Sequence, residues 1–119
     1  MPEFDKWIEA HRNWRMRLRD FVEGTSTETL DPSIIDRDNV CDLGQWIHGA
    51  KASMAGYAPF AELLQLHAQF HKTAANVVRT CAAGDKTRAA KLIDTDSEFM
   101  RLSSKVVGAI GRVARDTKK

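Results

Sequence analysis

Residues 59–84, PFAELLQLHAQFHKTAANVVRTCAAG, decide the fold. Phe60, Leu63, Leu64, His67, Phe70, His71, Ala74, Val77, Val78 and Cys81 follow the three-and-four spacing of one face of an α-helix, without interruption. Pro59 stands where a first helical turn tolerates proline, and Gly84 where a helix closes. A stripe of that length needs apolar partners from other helices, so the segment implies a bundle. His67 and His71 both fall on its inward side. Four residues apart on a helix, they are offset by about 6 Å along the axis, close enough to grip one metal ion.

Upstream, Phe4, Trp7, Ile8, His11, Trp14, Leu18, Phe21 and Val22 make a second stripe, predicting a helix over residues 3–23 closed by Gly24. His11 lies on its buried side. The polar run from Thr25 to Asp38, with Pro32 inside it, reads as a connection holding one short turn of helix. A shorter helix is expected from Val40 to about Ala52, capped by Asp38 or Asn39, with Cys41 in its first turn. Downstream, Asp85 caps a last long helix whose inward set is Ala89, Leu92, Ile93, Phe99, Leu102, Val106, Val107, Ile110 and Val113. Its register slips between Asp94 and Ser97, which predicts a kink or broken turn there. No useful strand alternation occurs, and there is no internal repeat. The expected architecture is all-α: a four-helix bundle with a short second helix.

Composition bounds the function. A chain of 119 residues is long enough for one domain with a real core and too short for two ordinary ones, so residues 1–119 are read as a single domain. Apolar residues at 43% and charged residues at 29% are those of a globular protein. No run approaches the roughly 18 apolar residues of a membrane span, and the acidic start Met1-Pro2-Glu3-Phe4-Asp5 is unlike a signal peptide. The cytoplasm is the expected compartment. A net charge of +2 argues against a nucleic-acid module. Arg12, Arg15, Arg17 and Arg19 crowd the first helix but are spread around it and diluted by Glu9, Asp20 and Glu23. Two cysteines imply no disulfide framework.

The inward histidines carry the chemistry. A structural zinc site takes four nitrogen or sulfur ligands in a tetrahedron. His67 and His71 give two, and His11, the other histidine on an inward stripe, is the third candidate, because a buried imidazole without a partner is costly. Cys41 is the fourth, since a helix N-terminus favours the thiolate. His48 lies seven residues beyond Cys41, too far along that helix to share the ion, and Cys81 is nearly three turns from His71; the first reads as exposed, the second as packing. Four protein ligands close the coordination shell, and no glutamate neighbours the histidine pair, which argues against a catalytic zinc and for a non-enzyme. A di-iron bundle would need inward carboxylates, which the first and third helices lack.

At these residues the chain resembles the chemoreceptor zinc-binding domain (CZB) of bacterial signalling proteins. The resemblance rests on His11-Arg12-Asn13-Trp14-Arg15, on Cys41-Asp42-Leu43-Gly44-Gln45-Trp46 with Gly49, and on His67-Ala68-Gln69-Phe70-His71, in family order. It implies a helical bundle, often a homodimer, with one zinc per subunit in the bundle core, held by His11, Cys41, His67 and His71. It also implies a sensory role: regulation of chemotaxis or cyclic-di-GMP signalling, through a chemoreceptor or diguanylate cyclase partner, in response to zinc or to oxidation of the zinc-bound cysteine by agents such as hypochlorous acid. A helical interaction module with a purely structural metal is the alternative.

Overall fold

The computed structural model describes residues 4–25, 30–37, 41–54, 56–94 and 96–117. Six helices occur among them and no strand: α1 (Phe4–Glu23), α2 (Pro32–Ile35), α3 (Asp42–Ala50), α4 (Ala58–Ala82), α5 (Lys86–Leu92) and α6 (Glu98–Thr117). The all-α expectation holds. None of these helices is long and apolar enough to cross a membrane.

Local chemistry sets most helix ends. α1 and α4 both stop at a glycine in left-handed conformation, Gly24 at φ +79° and Gly84 at φ +95°. In each, the glycine N–H bonds three residues back and the next N–H bonds five residues back: Gly24 to Phe21 and Thr25 to Asp20, Gly84 to Cys81 and Asp85 to Thr80. That pairing satisfies carbonyls a helix end would otherwise leave open. Asp85 then caps α5 by accepting from the Arg88 N–H at 3.0 Å. Asp31 caps α2 with Pro32 at its first turn.

α4 is the axis of the bundle, packed most heavily against α6 and also against α1, α2 and α5. Leu63, Phe70, Ala74 and Val77 of α4 are fully buried with Leu18 of α1 and Phe99, Val106, Ile110 and Val113 of α6. Each large side chain so buried is worth about 1.5–3 kcal/mol over leaving it exposed, so this core holds the long helices whatever occupies the polar site. α3 sits at one end, where Leu43 and Ile47 are buried and Trp46 meets Phe4, Trp7 and Phe60 at centroid distances of 5.4, 5.6 and 5.8 Å.

Two boundaries differ from expectation. The short second helix, expected over residues 40–52, is shorter still, and Cys41 is the residue that caps α3 rather than a member of its first turn. Asp38, Asn39 and Val40 lie outside the described residues. The last helix is broken into α5 and α6 where the register slips. On an unbroken helix Ile93 and Phe99 would point about 120° apart. The break lets both be buried, at 5% and 0% exposure. The Ile93 carbonyl it releases accepts from Arg15 Nε of α1 at 3.2 Å.

Candidate metal centre

Each of the four sulfur and imidazole side chains singled out by the sequence is brought to one place. His11 comes from the middle of α1, His67 and His71 from successive turns of α4, and Cys41 from the cap of α3; their ligand atoms all lie within 4.8 Å of one another. Cys41 Sγ is 3.3 Å from His67 Nε2 and 3.5 Å from His71 Nε2, and the two Nε2 atoms are 3.0 Å apart. Bonds of about 2.0–2.3 Å in a tetrahedron put neighbouring donors about 3.3–3.6 Å apart; both sulfur–nitrogen separations fall in that range, and the nitrogen pair is slightly closer.

Backbone carbonyls set the tautomers. His11 Nδ1–H donates to Trp7 O at 2.7 Å and His71 Nδ1–H donates to Ile35 O at 3.0 Å, so both rings turn an Nε2 lone pair inward. A proton on His67 Nε2 would satisfy one pair at most. His11 Nε2 is buried with no hydrogen-bond partner, a costly state that a cation relieves. The three histidines are 2%, 0% and 3% exposed, whereas Cys41 is half-buried and lies nearest the surface.

The electrostatics favour a neutral imidazole cage. Burial lowers the pKa of His11 to about 4 against the pull of the Trp7 carbonyl, with the His71 charge lowering it further. Burial, then the neighbouring charges of His71 and His11, lowers that of His67 to about 2. Neutral imidazole is the form that binds metal. For Cys41 the expected helix-start activation is outweighed: burial pushes the thiol above its ordinary value, though the Gly44 and Leu43 N–H groups pull it down. Gly44 N–H donates to Cys41 Sγ at 3.4 Å. Among the described residues no carboxylate is buried, so the bridging acids of a di-iron centre are absent from this core.

The sequence profile of the chemoreceptor zinc-binding domain matches residues 11–78, more than half of the chain. The chain belongs to this family. Its match begins at His11 and extends past His71, so all four clustered residues lie inside it. No curated protein and no solved structure matches the chain. The chemoreceptor zinc-binding domain is a sensory zinc-binding domain rather than a catalytic one, and zinc is the cofactor that both the family and the donor set indicate.

The other candidates stay apart from the cluster. His48 is exposed on α3, and Cys81 is half-buried against the core near the end of α4. Of the helix-one arginines, Arg12 and Arg19 are exposed as expected, but Arg15 holds the α5 end and Arg17 lies over the Trp14 ring at 3.9 Å. The supporting backbone groups were not foreseen. Gly44, three residues after Cys41, is a readable signal, because an N-cap side chain accepts from the third helical N–H. Nothing in the sequence announces the Ile35 carbonyl, which depends on where α2 lands.

Proposed function

We propose that this chain is a zinc-dependent sensory domain in which His11, Cys41, His67 and His71 hold one zinc ion. The observation that carries the reading is the convergence of three imidazole nitrogens and one sulfur at a buried point where His11 Nε2 has no other partner. Bound zinc supplies a divalent charge that offsets the burial of a thiolate and links three separated segments. The whole of residues 1–119 is read as one such domain, supported by the packing of α5 and α6 on α1 and α4.

Metal analysis of the purified chain, beside Cys41→Ala and single alanine changes of the three histidines, tests the site. One zinc per chain in the parent and a marked loss in each variant is the expected result; full occupancy in Cys41→Ala would sink it.

The sensing role is supported by the unequal placement of the four residues. Three are buried in long helices and one caps a short helix near the surface. In the redox form of this role, hypochlorous acid transfers its oxygen to the Cys41 thiolate, giving a sulfenic acid and chloride. The sulfur then loses its soft donor character, and α3 is released from the cluster. Graded treatment with that oxidant, followed by peptide mapping, should consume Cys41 before Cys81; the reverse order leaves zinc itself as the stimulus. The chain acts as a cytoplasmic homodimer that regulates a chemoreceptor or a diguanylate cyclase, a reading supported by family membership alone. Sedimentation of the zinc-loaded chain at micromolar concentration checks the dimer, and a monomer would remove it.

A further inference from the structure

A cavity of about 310 Å³ opens beside the cluster, between α1 and the chain around α2. Trp14, Leu30, Ile34 and Ile35 give it apolar walls, and Arg17 and Arg37 bring two guanidinium groups to its lining. Cys41 and His71 complete the wall. The volume is at the lower end of the range for small-molecule sites, about 300–1,000 Å³, and the lining has their usual form: mostly apolar, with a few polar groups.

Charge selects the kind of ligand. One acid, Asp31, also borders the cavity; hydrogen bonds from Ser33 N–H at 3.0 Å and Ser33 Oγ–H at 2.7 Å, with the nearby Arg37 charge, hold it ionised, so it offsets one guanidinium and the lining stays net positive. Arg17 is held over the Trp14 ring at 3.9 Å, which fixes a planar cation against an aromatic wall. A guanidinium so placed keeps its positive charge at the cavity wall, which suits a carboxylate. Ile34, at 49% exposure, is one of two large apolar side chains left markedly exposed among the described residues, and it lies on this cavity.

We propose that this cavity binds a small organic carboxylate with a compact apolar body, held between Arg17, Arg37 and the Trp14–Ile34–Ile35 wall. Such a ligand would press on α2, whose Ile35 carbonyl accepts from His71 Nδ1–H, and would cover the open side of Cys41. The chain thereby acquires a second input, a metabolite-type anion read at the same cluster. That consequence rests on the zinc reading given above; the binding itself does not.

Benzoate and its neutral isostere benzamide test the site. Each is titrated into the zinc-loaded, nitrogen-15-labelled full chain while backbone amide shifts are followed and zinc content is measured on the same sample. Benzoate should give saturable shifts centred on Trp14, Ile34, Ile35 and Cys41, and benzamide much weaker ones. Arg37→Gln and, separately, Arg17→Gln should weaken benzoate binding several-fold with zinc content unchanged. Because Arg37 is exposed, its variant answers even if loss of the Arg17 stack harms folding. No saturable shift, equal response to benzamide, undiminished binding in both variants, or release of zinc by benzoate would each overturn the proposal. A chain that binds benzoate here but carries no zinc would instead overturn the zinc reading alone.

Discussion

At the scale of single residues, the site sets neutral, buried histidines against the ordinary tendency of imidazole to protonate below neutrality. His11 falls from 6.5 to about 4 and His67 from 6.5 to about 2, both chiefly through burial. An unfolded chain takes up these protons around pH 6.5, whereas the folded chain resists them. Stability is therefore fully present above the unfolded value and is lost as pH falls, through about 4 for His11 and onward toward about 2 for His67. Each histidine contributes a slope of up to about 1.4 kcal/mol per pH unit within its window. Urea unfolding of the chelator-stripped chain at pH 7.5, 6.5 and 5.5 should show stability falling most steeply below pH 6.5, and His67→Phe should flatten the fall. A stability independent of pH across that range would contradict neutral burial of the pair. The three clustered histidines were legible at this scale because burial periodicity marks which histidines face inward. The carbonyls of Trp7 and Ile35 that fix the tautomers were not, since backbone acceptors leave no trace in residue type.

At the scale of elements, the long helices were legible because their apolar stripes and their terminators agree. α1 and α4 each pair a continuous stripe with a closing glycine, and their bounds fall within about a residue of the periodic pattern. α3 was harder, because a helix of nine residues contains barely more than two turns, too few for periodicity to locate its start. Its cap is Cys41 itself, a residue whose usual propensity says nothing of capping, so the helix start and the sulfur of the cluster are one group. That coincidence has a mechanical meaning. The Gly44 N–H that stabilises the sulfur is also an open donor at the α3 start, so a sulfur that leaves the cluster takes the cap with it. The α5–α6 break was visible as a slip in register, but its anchoring by Arg15 required the tertiary structure, since 78 residues separate Arg15 from Ile93.

At the scale of the whole molecule, the question is how much of the fold depends on the cluster. Small zinc fingers have almost no apolar core and unfold without metal, and zinc then supplies on the order of 10 kcal/mol of apparent folding free energy. This chain is built otherwise. Phe60, Leu63, Phe70, Val77, Phe99, Val106 and Ile110 form a buried core of α4 and α6 that needs no ion. α1, α4 and α6 are 20, 25 and 20 residues long, and Phe70 meets Phe99 at 5.2 Å in their midst. α2 and α3, at 4 and 9 residues, rely far more on the cluster through Ile35, Cys41 and the aromatic contacts of Trp46. Removing the metal should therefore divide the molecule. With excess chelator at pH 7.5, far-ultraviolet circular dichroism should keep most of the helical signal while the melting temperature drops by several degrees. Hydrogen exchange should speed up across residues 32–50 and change little in the centre of α4 and in α6. Because Trp46 packs against Trp7, the tryptophan emission should shift as α3 loosens. If chelation instead abolished the helical signal in one cooperative step, the cluster would be the keystone of the whole bundle, and a local release of α3 could not be what a partner reads.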